Sequence, residues 1–211
     1  MPKEHVVGIF NGASCLPAKD TRSLVDSFVT HGEFRPRTEV ESDLTCVQAL
    51  PVVVVRNQSG EVLRLKRKER RTENPLNEQI VIWAGGHVRK EDAYDGNSLV
   101  RCAIRELQEE LRLSVTSDKL KLLGSVYADH GGSTSKHAAI VYEWRAETDD
   151  VSVALSSAEF FERRGTSLSG SFVGLDVLAD DVDNEKIAEA WTAEIVRTFL
   201  VPDHDYTRRL L

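Results

Sequence analysis

The sequence predicts an α/β (α+β) fold, in which a mixed β-sheet is covered by helices. Strand-like runs stand before and after one amphipathic helical segment, and a second amphipathic segment closes the chain. The 211 residues, of which 41% are hydrophobic, are enough for one domain with its own core. We expect that domain over residues 46–211, with residues 1–45 as an N-terminal extension that packs on it.

The strands are predicted from their local patterns. Residues 51–55 are almost all valine, residues 61–67 alternate in polarity, and the turn signal at 57–60 joins the two runs into a hairpin with one buried face. Further strands are predicted over residues 79–84, 119–128 and 138–146, with a strand-to-turn segment over 171–178.

The helix between these strands is predicted over residues 99–113, with Ser98 as its N-cap. Its apolar residues recur at helical spacing and are Leu99, Cys102, Ala103, Leu107 and Leu111. Other helices are expected around residues 22–30, at 157–163 inside a long loop, and over 187–200, where Pro202 ends the chain's last helix.

Charge and cysteine usage exclude several classes of function. A net charge of −7 argues against a nucleic acid polymer as the main partner, but a small phosphorylated substrate remains compatible with it. The three cysteines are far apart and form no metal-ligand spacing, so we expect no zinc site or disulfide and a cytoplasmic setting. No signal peptide and no membrane-spanning run is expected.

Three glutamates of the predicted helix are spaced to share one patch of its surface. Glu110 follows Glu106 by four residues, and Glu109 follows it by three. Because Arg105 alone does not balance three carboxylates, a further cation is expected. Hard oxygen ligands suit Mg²⁺ or Mn²⁺, which would activate a water for attack on a phosphoryl group. The alternative is a solvated helix face without a ligand, and the spacing alone slightly favours it.

The segment before the helix favours a site. The strand over 79–84 ends at Gly85-Gly86, where the missing side chains let a ligand approach the backbone. From Gly86 to Leu113 the chain resembles the Nudix box: Gly, five residues, Glu, seven residues, Arg-Glu-apolar-x-Glu-Glu-x-Gly-apolar. The second half of the box matches at Arg105, Glu106, Leu107, Glu109, Glu110 and Leu113. Residues 85–88, with the lead-in at 34–39, are also similar to a bacterial branch of predicted phosphoesterases.

The chain departs from the box at three points. Asp92 stands at the first acidic position when the box is read from Gly86, and Glu91 stands there when it is read from Gly85. Twelve residues separate Asp92 from Arg105, an insertion in a loop, where added length costs little. Arg112 replaces the glycine that usually closes the helix, so it must continue the helix or end it without glycine's freedom. Neither the insertion nor Arg112 removes a residue that the resemblance implies as a metal ligand.

The resemblance implies a Nudix-type α/β/α sandwich and the roles of the box residues. Glu106, Glu109 and Glu110 would hold Mg²⁺ or Mn²⁺, with the Gly86 carbonyl as a further ligand. Arg105 would act in catalysis with the three glutamates by orienting one of them through an ion pair. The general base would be one of these glutamates or an acid further along the chain. The later candidates are Glu143, Glu159 and Glu162.

Three side chains outside the box are candidates to contact a small, nucleotide-like, phosphorylated substrate. Arg67 belongs to the basic stretch 64–71 and would clamp a phosphate, although a charged strand edge is as good a reading of that stretch. His130 and Lys136 lie in a glycine- and serine-rich loop. This loop would form a wall of the substrate pocket, or it would simply connect two strands, and the sequence favours neither. Trp83 is expected in the core rather than stacked on a base.

The leading hypothesis is hydrolysis of a diphosphate linkage in a nucleoside diphosphate derivative. A sensor that binds a nucleotide without turnover is a second hypothesis, but it has no need of three converging glutamates. An isomerase of isoprenoid diphosphates is a third, and it would want a reactive cysteine, whereas Cys102 and Cys46 are expected to be buried. The N-terminal extension is also a candidate surface for a homodimer.

Overall fold

The structure, a computed structural model, describes residues 1–67, 79–93, 97–129, 134–147, 170–187 and 189–206. Its strands are β1 Cys15–Pro17, β2 Gln48–Arg56, β3 Val62–Lys66, β4 Ile80–Val81, β5 Trp83–Gly85, β6 Leu120–Val126, β7 His137–Arg145 and β8 Ser171–Val173. Its α-helices are α1 Lys3–Phe10, α2 Ala18–His31, α3 Arg37–Ser42, α4 Ser98–Leu111, α5 Leu175–Asp183 and α6 Ala190–Ile195.

The described strands form one mixed sheet. Its main path runs β1-β6-β7-β2-β3-β4, while β5 pairs with β2 and β8 pairs with β3. The pair β2–β7 is parallel over nine residues, from Gln48 opposite His137 to Arg56 opposite Arg145, and the other pairs are antiparallel. The predicted fold class is confirmed. Because β2 and β7 are adjacent and parallel, the loops that precede them lie at the same end of the sheet.

Helices cover both faces of this sheet. Successive side chains of a strand point to opposite faces. On β6, the Ser125 hydroxyl lies 2.9 Å from that of Thr21 in α2, whereas a Cβ placed on Gly124 would come within 2.5 Å of the Phe199 ring near the chain's end. The helix α2 and the closing segment therefore lie on opposite sides of the sheet. Within the described ranges, no helix is both long and apolar enough to cross a membrane.

The N-terminal residues share the sheet and the core of the rest of the chain. The strand β1 pairs with β6, with Cys15 opposite Val126. The Met1 amine donates to the Val47 carbonyl over 3.1 Å, and the Val47 amide donates back to the Met1 carbonyl. Val6 and Leu24 are fully buried in the common core. The first three-residue strand was not predicted.

Most predicted elements are observed. The hairpin, the strands over 119–128 and 138–146, and the buried face of the embedded helix are confirmed. The strand-to-turn prediction over 171–178 is wrong beyond β8, because α5 begins at Leu175. The predicted closing helix divides into α6 and a π-helical turn, Val196–Leu200, which ends before Pro202. The predicted helix at 157–163 lies outside the described residues.

Candidate active site

The helix α4 carries the glutamates and is fixed at both ends. At its start the Asn97 side chain, rather than the predicted Ser98, accepts hydrogen bonds from the amides of Leu99 and Val100. At its end Arg112 adopts a left-handed conformation with φ of 57°, and its amide donates to the Leu107 carbonyl. Arginine thus takes the backbone conformation that glycine usually supplies at a helix end.

Two of the three glutamates are buried rather than solvated. Glu106 is 7% exposed and Glu110 is 6% exposed. The Glu110 carboxylate accepts a hydrogen bond from the Gly85 amide over 3.1 Å. A Cβ placed on Gly86 would lie 2.5 Å from Oε1 of Glu106, so a larger residue cannot stand there while Glu106 keeps its position. The two glycines therefore bring the backbone at the end of β5 and just after it against both carboxylates.

Arg105 binds three acidic side chains at once. Its Nε and Nη2 donate to the two oxygens of Asp92, both over 2.9 Å. Its Nη1 donates to Glu106 over 2.5 Å and to Glu109 over 3.3 Å. Burial opposes the charge of Arg105, but its hydrogen bonds to Asp92 and Glu106 outweigh that effect and raise the pKa of the guanidinium. Arg105 therefore stays cationic and fixes the position of Glu106.

Asp92 is a site residue to which the sequence analysis gave no role. It is 4% exposed, and it accepts the Arg89 amide as well as the Arg105 fork. Burial favours its protonation, but the hydrogen bonds from Arg105 and the Arg89 amide are stronger and lower the pKa of Asp92. Glu91 is exposed. The box position is therefore filled by Asp92, counted from Gly86, despite the longer loop that follows.

Glu109 is oriented differently from the other two glutamates. Its side chain is 44% exposed and accepts two hydrogen bonds from the guanidinium of Arg89, over 3.0 and 3.1 Å. Among the residues that the structure describes, no three side chains of the metal-binding types are grouped closely enough to hold an ion. The donors themselves, carboxylates beside a glycine backbone, are the hard oxygen ligands that suit Mg²⁺ or Mn²⁺. For Glu109 to become a ligand as well, its hydrogen bonds with Arg89 would have to break.

The cysteines are not arranged for catalysis. Cys102 is fully buried, and its thiol lies 3.5 Å from the Gly86 carbonyl. Burial raises the pKa of the Cys102 thiol far above its ordinary value, so it is no nucleophile at neutral pH. Cys46 is only partly buried, and its thiol lies 3.2 Å from an Asp43 oxygen. All three cysteines of the chain are free.

Two histidines meet beside the glycine pair. The Nε2 atoms of His87 and His137 lie 3.2 Å apart, and the Gln48 amide lies 3.2 Å from His137. Burial, with smaller contributions from His137 and Arg37, lowers the pKa of His87 to about 4. His87 is therefore neutral at pH 7. The position of His87 directly after Gly86 was the one sequence signal for this contact.

The described candidates outside the box contact different parts of the fold. Arg67 is 8% exposed and its guanidinium lies 4.8 Å from the centre of the Trp83 ring. Lys136 donates to the Glu41 carbonyl of α3 over 2.7 Å. Trp83 is buried, as expected. Glu143 is buried in an ion pair with Arg56. His130, Glu159 and Glu162 lie outside the described residues.

The arrangement of β5, the glycine pair and α4 agrees with a comparison of the sequence with protein-family models. The model of the NUDIX domain matches residues 48–194, which is more than half of the chain. The chain belongs to the Nudix family. The matched residues include all three box glutamates, Arg105 and Asp92, and they leave out β1 and the first three helices.

Solved structures of other Nudix proteins share this fold. Tm1382, provisionally assigned as a Nudix hydrolase, is 20% identical with a TM-score of 0.68, over 94% of this chain and 95% of its own. The MutT protein from Methanosarcina mazei Go1 is 19% identical with a TM-score of 0.51, over 76% and 97%. A Nudix hydrolase from Alicyclobacillus acidocaldarius is 12% identical with a TM-score of 0.54, over 74% and 91%. No curated protein is significantly similar in sequence.

Proposed function

We propose that this Nudix protein is a metal-dependent pyrophosphohydrolase. Its substrate is a nucleoside diphosphate derivative, and it cleaves the diphosphate linkage with Mg²⁺ or Mn²⁺ as the cofactor. Membership in the Nudix family supports hydrolysis of a diphosphate bond in general.

The burial of Glu106 and Glu110 carries the proposal. A glutamate-rich face without a ligand would be solvated, yet these two carboxylates are 7% and 6% exposed. Burying a carboxylate is costly unless a partner compensates for the lost water. Arg105 compensates Glu106, and the Gly85 amide contributes a hydrogen bond to Glu110. Such a cost is reasonable where the charges are needed to bind a cation and a phosphorylated substrate.

We assign the residue roles from the resemblance to the Nudix box, and the contacts described above support them. Glu106, Glu109 and Glu110 would hold the metal with the Gly86 carbonyl, and the bound metal would polarise a phosphoryl oxygen and activate a water. Arg105 keeps Glu106 in place through its fork to Asp92. Glu109, the most exposed of these three glutamates, would leave Arg89 to bind the metal. Arg67, His130 and Lys136 remain proposed substrate contacts.

A turnover screen with Mg²⁺ or Mn²⁺ tests the proposal. The substrates are nucleotide sugars, dinucleoside polyphosphates, NAD-like dinucleotides and nucleoside triphosphates. We expect metal-dependent release of phosphorylated products from at least one class, and a loss of about 100-fold or more in Glu109→Gln and Glu110→Gln. Asp26→Asn, which removes an exposed carboxylate from α2, serves as the charge-matched control and should leave turnover unchanged.

Two outcomes contradict the proposal. Turnover that survives both glutamate substitutions would remove α4 from the chemistry. Tight nucleotide binding without turnover under either metal would instead indicate the sensor. The isomerase is not favoured, because the Cys102 thiol is buried and its pKa is raised.

A further inference from the structure

A large cavity lies between the N-terminal segment and the loop that follows the glycine pair. Its volume is about 1170 Å³, slightly above the range of roughly 300–1,000 Å³ that is usual for small-molecule sites. Most of its wall comes from residues before 48, outside the segment that the family model matches. The rest comes from the start of β2 and from His87, Val88, Ala93, Ser98 and Leu99.

Exposed apolar side chains are concentrated around this cavity. Four of the five large apolar side chains that are exposed in the described residues line it, namely Val7, Val29, Phe34 and Leu44. Leu44 is 67% exposed, and the fifth side chain, Val177, lies on α5. A clustered apolar surface of this kind is uncommon unless it contacts a ligand or a partner.

The lysine and the arginine of the cavity wall are both already paired with aspartates. The Lys3 ammonium lies 2.6 Å from Asp129, and Arg35 lies 2.9 Å from Asp43. Phosphate binding favours cations that can fork onto its oxygens. The cavity is therefore suited to an uncharged, mostly apolar group, whereas the phosphates would stay at α4.

The cavity and the candidate active site share one loop. His87 lines the cavity, and its backbone carbonyl accepts a hydrogen bond from Arg105 over 3.1 Å. Leu99 lines the cavity from the first turn of α4, and Glu106 lies about 10 Å further along the same helix at 1.5 Å per residue. This separation is on the scale of a nucleoside that carries its phosphates.

We propose that this cavity binds the nucleoside of the substrate, so that the N-terminal segment determines which nucleoside is accepted. Phe34 and the surrounding apolar side chains provide contacts for the base. The second ring nitrogen of His87 and the amide oxygen of Gln48 provide hydrogen-bonding groups, since the Nε2 atoms of both side chains contact His137. The inference rests on the proposed function, because it assigns the organic part of that substrate. The metal and the phosphates would bind at the box residues of α4 instead.

Calorimetric titration of the full chain without metal tests this assignment. ADP, GDP, CDP and UDP are titrated separately, and inorganic pyrophosphate is the probe without a nucleoside. We expect at least one nucleoside diphosphate to bind, and Val29→Trp, which fills the cavity, to weaken that binding about tenfold or more. Val177→Trp is the matched control because Val177 is comparably exposed and lies outside the cavity wall. Pyrophosphate binding should be the same in all variants.

A second variant and the oligomeric state keep the result unambiguous. If Val29→Trp does not fold, Phe34→Ala serves instead. It removes a ring from the cavity wall and should weaken binding of the same nucleotide. Nucleotide binding unchanged in the variants, or absent from the wild type, overturns the assignment. The assignment is also overturned if the wild type is a dimer that Val29→Trp dissociates without changing nucleotide binding. The cavity surface would then be the interface with a second copy of the chain. Failure of the hydrolase proposal appears separately, as absent turnover with cavity-dependent binding retained.

Discussion

At the scale of single residues, the two adjacent glycines have different tasks. A Cβ on Gly85 would lie 2.3 Å from the Pro51 carbonyl, which is backbone of the neighbouring strand and cannot move aside cheaply. A Cβ on Gly86 would meet the Glu106 carboxylate, which is the end of a side chain and can be displaced. Gly85 therefore maintains the strand pairing, and Gly86 maintains the position of a catalytic candidate.

Alanine substitutions should separate these tasks. We expect Gly86→Ala to keep the fold and lower turnover roughly 10- to 100-fold, because small displacements of catalytic groups are costly. Gly85→Ala should instead lower the melting temperature. Thermal unfolding and steady-state kinetics on both variants make the comparison. A Gly86→Ala enzyme with full activity would show that Glu106 has no fixed position in the reaction.

Arg112 gives a second prediction at this scale. Its φ of 57° costs a non-glycine residue roughly 1–2 kcal/mol, and glycine's greater freedom in the unfolded chain cancels part of the gain. We expect Arg112→Gly to increase the free energy of unfolding by about 0.5–1 kcal/mol in urea titrations. Arg101→Gly, in the exposed interior of α4, should decrease it by about 1 kcal/mol. A destabilised Arg112→Gly would mean that the arginine side chain makes a needed contact.

At the scale of elements, the sequence predicted where α4 lies but not how it begins. Asn97 and Ser98 are both good capping residues, and they are adjacent. Asn97 has the extended backbone of a cap, with ψ of 103°, and Ser98 is already helical. The path of the preceding loop decides between them, and that path depends on tertiary contacts such as the one between Asp92 and Arg105.

Substitution of each residue by alanine tests the cap. Asn97→Ala should decrease the free energy of unfolding by about 1 kcal/mol, because the amides of Leu99 and Val100 lose their acceptor. Ser98→Ala should change it by less than about half of that, since alanine is a better helix former than serine. Chemical denaturation measures both values. Equal losses would contradict the assignment of Asn97 as the cap.

The misprediction at α5 has a physical reason. Leu175, Leu178, Ala179 and Val182 have the i, i+3, i+4, i+7 spacing of a helix, but the apolar residues of 171–175 resemble a strand at the start. Only three residues of β8 pair with β3, and α5 begins at Leu175, two residues after the strand ends. The site shows the same limit: the glutamate spacing was readable, whereas the contact of Arg89 with Glu109 requires a folded loop.

At the scale of the whole molecule, the sequence predicted one main domain and an extension that packs on it. We propose that residues 1–45 unfold together with residues 46–211, because β1 is part of the sheet and Leu24 is fully buried in the common core. A strand of three residues gives no alternation to detect, so β1 could not be recognised from its pattern.

Leu24→Ala tests this cooperativity. The cavity left in the core should lower the free energy of unfolding by about 2–5 kcal/mol. All three tryptophans, Trp83, Trp144 and Trp191, lie after residue 46, so fluorescence reports on that part alone. We expect fluorescence and circular dichroism to show one shifted transition, as they should for Leu107→Ala. A fluorescence transition that Leu24→Ala does not move would show that the N-terminal residues unfold independently.

The pairing of β1 with β6 has a consequence for biosynthesis. Cys15 leaves the ribosome more than a hundred residues before its partner Val126 is made. Until then, the Phe10 ring also lacks its contact with the Tyr127 ring. Contacts between distant parts of a chain form slowly, and uncovered apolar surface invites aggregation in the meantime. The nascent chain therefore has a long interval in which a chaperone that shields α1, β1 and α2 would raise the yield of folded protein.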